Sequence, residues 1–256
     1  MTCLTILSIN RKRHNMEKSL VIQSPTKFYD VVPMFFTEME KLGFFDKYYL
    51  ATDYPDPYGL PDKCHLIHLD KDYQFATNMK KAIKEVQEDV FFICCEDHVL
   101  KGQNDLDQWQ KSWDFIVNNK DVGFLRLTNN GHVPCKKDHD FAFEMKRDYK
   151  YYISLQPAIW RKPYFEATLK DGEGAWKYEP FGSKRVNKRK DMSSYCVKET
   201  VFQCTNFFKE GKFYRRQYVD YCLDNGINIP RNKKVLHKTG EMTVDEYINY
   251  REQRNG

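Results

Sequence analysis

Short apolar runs alternate with amphipathic segments through the first half of the chain. Runs rich in β-branched and aromatic residues, each followed by polar residues, predict strands. They cover residues 3–10, 19–24, 47–53, 64–70, 90–95 and 122–128. Between them, apolar residues recur at helical spacing and predict helices over 31–42, 75–88 and 105–118. Strands that alternate with helices of this length predict a βαβ arrangement with a mainly parallel central sheet and helices on both of its faces.

The second half has a less regular pattern. Residues 141–160 contain two strand-like runs joined by a charged turn, and a short helix is predicted at 163–170. The stretch "DGEGAWKYEP" predicts a turn that leads into an aromatic, acidic segment. Short strands and aromatic-rich loops follow, and a last helix over 244–250 is predicted behind a Thr243 cap with Glu246 three residues on. We therefore expect one α/β domain over residues 1–256 with an irregular C-terminal elaboration.

Composition is that of a folded protein. The chain has 256 residues, of which 41% are hydrophobic and 15% aromatic, enough for a sizeable core, and this excludes global disorder. Its 8 cysteines have neither CxxC nor zinc-type spacing, so free thiols are expected, with Cys94 and Cys95 in the core. No leader-like segment opens the chain, and no apolar run approaches the ~18 residues of a membrane span. These features predict a cytoplasmic protein without a membrane span.

Positive charge is modest but uneven. The net charge is +5, and basic residues concentrate in 184–190 and again in 231–234. Such blocks are either solvated loops or surfaces that contact phosphate groups, and the sequence leaves both readings open.

The stretch "VFFICCEDHV" places Glu96, Asp97 and His98 directly after an apolar strand. In open α/β sheets, ligands bind beyond the carboxyl ends of the strands. Two adjacent carboxylates repel each other there, and a divalent cation with oxygen ligands offsets that repulsion. The imidazole of His98 would add a nitrogen ligand, which suits manganese better than calcium. In the alternative interpretation, Glu96 caps a helix or pairs with a lysine while Asp97 faces water.

This apolar strand followed by Glu-Asp-His resembles the acidic metal motif of GT-A fold glycosyltransferases. The segment "SLQPAIWRKPYFEATLKDGEGAWKYE" (154–179) is similar to a segment of bacterial, large-virus and phage-type glycosyltransferases. There, an SLQ-x-x-hydrophobic-W strand and a short helix precede a W-x-x-E element. The resemblance covers roughly residues 20–180 and implies a GT-A-like fold, with a nucleotide-sugar-binding half (1–130) and an acceptor-binding half (131–256).

The same resemblance implies roles for the motif residues. Glu96 and Asp97 match the acidic motif, in which a carboxylate binds Mn²⁺ or Mg²⁺ and the metal neutralises the diphosphate leaving group. His98 stands where the family often has a second aspartate. This departure puts the metal requirement in question.

Glu179 matches the last position of the W-x-x-E element, where inverting members have a general base. Glu173 is the rival base, and Trp176 would form a wall of the sugar or acceptor site. In the alternative interpretation, Glu179 is a helix-start carboxylate stabilised by the helix dipole.

Further substrate-binding residues are expected at the ends of strands and helices. They are Gln23, Ser24, Thr26, Asp53, Asn78, Lys81, Gln156 and Lys238. The first four are placed to contact the base or ribose, although capping and turn formation explain them equally well. His237 is a further candidate metal ligand and, with Lys238, a candidate to close over the diphosphate.

The predicted function is transfer of a hexosyl or pentosyl group from a nucleotide-diphosphate sugar to an acceptor hydroxyl. The match of Glu179 to the W-x-x-E element implies inversion at the anomeric centre. The acceptor is a glycan or, because of the basic segment 184–190, a hydroxymethylated base in viral DNA. Two other functions stay open: a metal-dependent nucleotidyltransferase and a non-catalytic nucleic-acid-binding module.

Overall fold

A computed structural model describes residues 17–71, 73–102, 104–209, 213–224, 226, 229, 231, 233–237 and 240–255. The strand predicted over residues 3–10 lies outside the described residues.

The described strands and helices follow one another along the whole chain. The strands are β1 (Ser19–Gln23), β2 (Lys47–Thr52), β3 (Cys64–His68), β4 (Val90–Ile93), β5 (His98–Leu100), β6 (Val122–Arg126), β7 (Cys135–Asp138), β8 (Ala142–Met145), β9 (Ala158–Arg161), β10 (Ser193–Val197), β11 (Cys204–Asn206), β12 (Phe208–Lys209), β13 (Phe213–Arg215), β14 (Lys234–His237) and β15 (Gly240–Thr243). The helices are α1 (Val32–Leu42), α2 (Phe75–Glu85), α3 (Leu106–Asn118), α4 (Lys162–Thr168), α5 (Ala175–Asn187), α6 (Arg216–Asp224) and α7 (Val244–Asn255), and a 3-10 helix, Thr26–Val31, precedes α1.

A mixed sheet forms the centre of the molecule. Within the described part of the chain it has 9 strands in the order β3-β2-β1-β4-β9-β6-β10-β8-β7. The strands β3, β2, β1 and β4 pair in parallel, as do β6 and β10. Only β8 and β9 run against the common direction, since each pairs antiparallel with both of its neighbours. The prediction of a mainly parallel sheet is therefore confirmed.

Helices cover both faces of this sheet. Because successive side chains of a strand point to opposite faces, Phe91 and Phe92 of β4 belong to different apolar clusters. Phe92 packs with α1 and α3, where Trp109 is fully buried, whereas Phe91 packs with α2, α4 and α5, including Met79 and Tyr178. Each face of the sheet thus has its own core, as the predicted doubly covered α/β architecture requires.

The C-terminal elaboration has a third core of its own. Strands β12 to β15 form a four-stranded sheet, and α6 and α7 pack with them over a cluster that includes Val31, Met34 and Val99. Helix α7 begins after a reciprocal cap: the Glu246 N–H donates to the Thr243 hydroxyl (3.2 Å), and the Thr243 N–H donates to the Glu246 carboxylate (2.6 Å). The predicted Thr243 cap is confirmed.

Helix α5 replaces what the sequence predicted as a turn and an acidic, aromatic segment. Pro180 and Gly182 both lie inside this helix, and each of these residue types disfavours a helix by its intrinsic propensity. Gly182 allows close packing, because a Cβ there would lie 3.1 Å from Ile153 Cδ1 and 3.3 Å from the Thr168 carbonyl oxygen. Packing against α4 and the preceding loop therefore stabilises a helix that local propensity does not predict.

Two further features of the described chain concern membrane spans and cysteines. Among the described helices, none is both long enough and apolar enough to cross a membrane. The described cysteines are all free thiols.

Candidate active site

The carboxyl ends of β1, β2 and β4 lie side by side, because these strands pair in parallel. Gln23 ends β1, Asp53 follows β2, and residues 95–98 follow β4. Residues from three distant parts of the sequence therefore meet at one edge of the sheet. This is the place where open α/β sheets bind ligands.

The predicted base and ribose contacts form one group at this edge. The Asp53 carboxylate accepts a hydrogen bond from the Thr26 N–H (2.8 Å), and the Ser24 N–H donates to the Ala51 carbonyl (3.0 Å). Gln23 Oε1 and Ser24 Oγ are buried and have no hydrogen-bond partner among the described residues. Because buried polar atoms are rarely left unpaired, these two oxygens are candidate contacts for a ligand.

The Glu-Asp-His motif forms a tight turn. Strand β4 ends at Ile93, two residues earlier than predicted, and the His98 N–H donates to the Cys95 carbonyl (3.1 Å). On the other side of the turn, the Asp97 carbonyl accepts from the Phe207 N–H (2.9 Å), and β5 pairs with β11. The C-terminal elaboration therefore helps to fix the conformation of the motif.

Three side chains around this turn converge. The Cys95 sulfur, an Asp97 carboxylate oxygen and a His98 ring nitrogen all lie within 4.8 Å of one another. His98 is only 4% exposed, and both its ring nitrogens are buried without a hydrogen-bond partner in the described structure. Burial lowers the pKa of His98, which keeps the imidazole neutral, as a metal ligand must be. These residues fit a divalent cation.

Glu96, predicted as a metal ligand, is not part of this converging group. Its side chain is buried, and that burial, with the neighbouring negative charge of Asp97, raises the pKa of Glu96 to about 8. Glu96 is therefore mainly protonated at neutral pH. Protonation of Glu96 removes the repulsion that two adjacent ionised carboxylates would have.

Glu179 lies close to the motif turn although it is far from Asp97 in the sequence. Glu179 Oε1 accepts from the Leu155 N–H (2.8 Å), and the Leu155 carbonyl lies 3.9 Å from the Cys95 sulfur, which donates to it. One residue of the "SLQ" loop thus connects Glu179 to the converging group. Burial raises the pKa of Glu179, an effect that the Leu155 N–H and the positive charge of Arg126 oppose. A carboxylate of raised pKa in this position is suited to accept a proton.

The other predicted base, Glu173, has a partner already. Its carboxylate accepts two hydrogen bonds from the Arg185 guanidinium, at 2.8 and 2.5 Å. Trp176, by contrast, is 80% exposed in the first turn of α5, so its indole presents a free aromatic face to solvent.

The structure places the remaining predicted residues as follows. Asn78 is fully buried in α2 and accepts from the Tyr73 N–H, and Lys81 pairs with Asp70 and lies 4.1 Å from the Tyr73 ring centroid. These two residues stabilise the loop before α2. His237 ends β14, and Lys238 lies outside the described residues.

Sequence reasoning missed two residues of the site. Cys95 was expected in the core, but it lies in the loop after β4, half-buried, with its thiol in the converging group; only Cys94 is a core residue. Arg126, at the end of β6, is 6% exposed and donates through Nε to Thr128 Oγ1 (3.2 Å), which donates on to Gln156 Oε1 (3.4 Å). The signal for Arg126 was its position inside the apolar run "VGFLRLT", where a charged residue needs an explanation.

Comparison with known proteins gives matches in structure alone. No protein-family model matches the chain, and no curated protein matches it. Among solved structures, a mannosyltransferase from Pyrobaculum calidifontis, in complex with GDP-Man and Mn²⁺, matches with a TM-score of 0.50 and 10% identity. The match covers 83% of this chain and 61% of the mannosyltransferase. The fold is GT-A-like.

Two further solved structures are similar to this chain. A mycobacterial protein matches this GT-A-like chain with a TM-score of 0.51 and 8% identity, over 90% of this chain and 84% of that one. TarS from S. aureus (residues 1–349) matches with a TM-score of 0.47 and 14% identity, over 71% of this chain and 60% of that one. The chain therefore spans less than two thirds of the mannosyltransferase and of TarS.

Proposed function

We propose that this protein is a glycosyltransferase that moves a sugar from a nucleotide-diphosphate sugar to an acceptor hydroxyl. One observation carries this proposal: the sheet edge brings the converging group Cys95, Asp97 and His98 together with Glu179, linked through Leu155. A site for a divalent cation and a buried carboxylate are the two parts that such a transfer needs. The GT-A-like fold supports the assignment, since the mannosyltransferase that shares it was solved with a nucleotide sugar.

The donor would bind along the ends of β1, β2 and β4. Gln23, Ser24 and the Thr26–Asp53 pair are placed to contact the base and ribose, and the unpaired oxygens of Gln23 and Ser24 would gain partners there. Cys95, Asp97 and His98 would hold the metal. When bound, a divalent cation neutralises the charge that develops on a diphosphate leaving group. The thiol and imidazole donors favour Mn²⁺, or a softer ion such as Zn²⁺, over Mg²⁺.

Glu179 would serve as the general base. A sugar hydroxyl is a poor nucleophile, so Glu179 takes its proton while the hydroxyl oxygen attacks the anomeric carbon. The bond from that carbon to the diphosphate oxygen breaks, and the nucleoside diphosphate leaves with the bonding electrons. Attack from the side opposite the leaving group inverts the anomeric centre. Glu173 is the weaker candidate, because Arg185 already occupies both its oxygens.

Two acceptors stay open, a glycan and a hydroxymethylated base in DNA. A groove of about 760 Å³ beside α4 and α5 supports the second, because basic residues dominate its lining. Its lining residues are Ala167, Lys170, Glu173, Phe181, Lys184, Arg185, Asn187 and Lys188. Under this proposal residues 1–130 bind the donor and residues 131–256 the acceptor. The free thiols support a reducing, cytoplasmic location.

A thermal-shift screen against UDP, GDP, TDP and CMP sugars, with and without Mn²⁺, tests the proposal. A ligand at ~100 times its dissociation constant stabilises the folded state by about 2.7 kcal/mol. We expect one nucleotide to stabilise the wild type, Mn²⁺ to increase the shift, and Asp97→Asn to abolish the increase because it weakens the metal site.

The matched control is Asp46→Asn, an exposed carboxylate outside the sheet edge, which should leave the Mn²⁺-dependent shift unchanged. No response to any nucleotide would contradict the proposal. Release of pyrophosphate from a nucleoside triphosphate would instead identify a nucleotidyltransferase.

A further inference from the structure

Arg126 is a buried cation that has no anionic partner among the described residues. It is 6% exposed at the carboxyl end of β6, and its one recorded side-chain hydrogen bond runs from Nε to the neutral hydroxyl of Thr128. Its terminal N–H groups have no hydrogen bond and no ion pair within 4.0 Å to any described residue. A charge buried in this way is costly unless something compensates it.

Arg161, the other deeply buried arginine of the described chain, is a comparison case in which backbone acceptors explain the burial of the guanidinium. It is 7% exposed, and it donates to the backbone carbonyls of Ile116, Asn119 and Val122. Those carbonyls satisfy the Nε and Nη2 donors of Arg161 and account for its burial within the fold. Arg126 has no such set of acceptors in the described part of the chain, which therefore does not account for its burial.

The surroundings of Arg126 belong to the candidate active site. Ala158 of β9 pairs with both Ile93 and Arg126, so Arg126 lies in the same row of the sheet as the end of β4. Its positive charge lowers the pKa of Glu179, which places the two groups near each other. No hydrogen bond or ion pair joins Arg126 and Glu179 in the described structure.

We propose that Arg126, Thr128 and Gln156 form a subsite for an oxyanion, a carboxylate or a phosphate, carried by the acceptor or by the transferred sugar. This inference rests on the proposed glycosyltransferase function and adds the substrate class. A guanidinium presents a planar fork that binds a carboxylate or phosphate through two parallel hydrogen bonds. Gln156 offers its amide N–H group beside that fork. The diphosphate of the donor belongs at the end of β4 with the metal-binding group, so the anion at β6 is a second one.

The test is calorimetric titration of the full chain, saturated with the nucleoside diphosphate and Mn²⁺ found in the donor screen. The probes are glucuronate and glucose 6-phosphate, with glucose as the uncharged comparison. We expect an anionic probe to bind at least about 30-fold more tightly than glucose, equivalent to about 2 kcal/mol. Arg126→Gln should remove this preference, and Lys198→Gln, an exposed lysine paired with Asp138, should keep it.

Two outcomes would overturn the subsite: a wild type that binds glucose as tightly as the anions, or a folded Arg126→Gln variant that retains the preference. Should Arg126→Gln fail to fold, Arg126→Lys keeps the charge and removes the fork. Arg126→Lys should weaken binding of the anionic probe about tenfold, and an unchanged affinity would equally overturn the proposal.

Two comparisons separate the possible sources of the anion and the possible failures. Tighter binding of a nucleotide uronate than of the matching nucleotide hexose assigns the anion to the transferred sugar, and equal binding assigns it to the acceptor. If no nucleotide binds, the proposed glycosyltransferase function is contradicted. The same titrations on the nucleotide-free protein then still test the anion subsite.

Discussion

At the scale of single residues, environment decides what identical carboxyl groups do. Glu96 and Asp97 are neighbours in the chain, but Glu96 is buried with its pKa raised to about 8, while Asp97 lies in the converging group with Cys95 and His98. Glu179 has a raised pKa as well, from burial, yet it keeps a hydrogen bond from the Leu155 N–H. The three acidic residues therefore lie in three different environments, and the roles proposed for them differ accordingly.

Glu179→Gln tests the proposed base. The amide oxygen can still accept from the Leu155 N–H, so the fold and donor binding should survive. Because the amide cannot take a proton, we expect turnover to fall by a factor of about 10²–10⁴. Steady-state kinetics with the donor from the screen, together with thermal shifts for donor binding, measure the two effects separately.

The matched control is Glu173→Gln, which removes the rival carboxylate and should leave turnover far less affected. Loss of turnover in Glu173→Gln together with full activity in Glu179→Gln would contradict this prediction and assign the general base to Glu173.

The raised pKa of Glu179 also predicts a pH dependence. A base acts only when ionised, so kcat/KM should rise with pH through a pKa above the usual value for glutamate. The effect on stability has the opposite sign, because the folded state holds the Glu179 proton more tightly than the unfolded state does. The contribution of this proton to the free energy of unfolding is therefore present at low pH. It is lost as the pH rises through the raised pKa of Glu179. Denaturation curves of wild type and Glu179→Gln across this range check the sign. A stability difference that grows in favour of wild type with rising pH would contradict the burial argument.

At the scale of secondary-structure elements, β9 is what assembles the site. It enters antiparallel between β4 and β6, and its first residue, Ala158, pairs with Ile93 on one side and Arg126 on the other. The residues that precede Ala158 are the "SLQ" loop. This loop is therefore placed between the ends of β4 and β6, where it contacts Cys95, Glu179 and Thr128.

The contact between β6 and α4 depends on Gly123. A Cβ at this position would lie 2.3–2.6 Å from ring atoms of Tyr164, which is fully buried and hydrogen-bonded to Ser194. Neither the strand nor the ring can move away easily, so Gly123→Ala should lower the free energy of unfolding by about 1–3 kcal/mol. Chemical denaturation measures this loss.

A second substitution tests the cause. In a Tyr164→Leu background the ring is absent, and Gly123→Ala should cost clearly less than in the wild type. Equal costs in both backgrounds would show that the ring is not what excludes a larger side chain.

At the scale of the whole molecule, the C-terminal elaboration is joined to the first half by tyrosine–carboxylate contacts. Tyr214 donates to Asp30 of the 3-10 helix, and Tyr221 donates to Glu38 of α1. Phe207 then contacts the motif turn through the Asp97 carbonyl. Residues after 200 thereby support a site whose charged groups come from earlier in the chain.

The groove beside α5 gives a prediction at this scale. Lys184 of α5 and Lys188, which directly follows the helix, line the groove and are exposed, as is Phe181. If DNA is the acceptor, the double substitution Lys184→Gln/Lys188→Gln should weaken DNA binding and reduce the slope of log K against log salt by about 2. Fluorescence anisotropy at several salt concentrations measures this slope.

The control is Lys111→Gln/Lys120→Gln, two exposed lysines of α3 and the turn after it, on the opposite face of the sheet. It should leave the slope unchanged. Equal slopes in the two double variants would exclude the groove as the DNA-binding surface and favour a glycan acceptor.

The sequence by itself determined the fold class and the main elements. Continuous apolar runs identified the strands of residues 19–128, because a strand covered on both faces is apolar throughout, and helical spacing of apolar residues identified the helices, because each buries one side. The Glu-Asp-His motif was visible because charge after an apolar strand is a local signal. Helix α5 was not predicted, since Pro180 and Gly182 oppose it and only its packing on Ile153 and Thr168 stabilises it.

Only the tertiary structure decided which residues meet. It placed Cys95 with Asp97 and His98, put Glu96 outside that group, and brought Glu179 to the motif turn through Leu155. These relations depend on strand order and on β9 running between β4 and β6, contacts between segments far apart in sequence. Local pattern carries no information about such long-range pairing, because the same strands and helices fit several sheet orders with equal local energy.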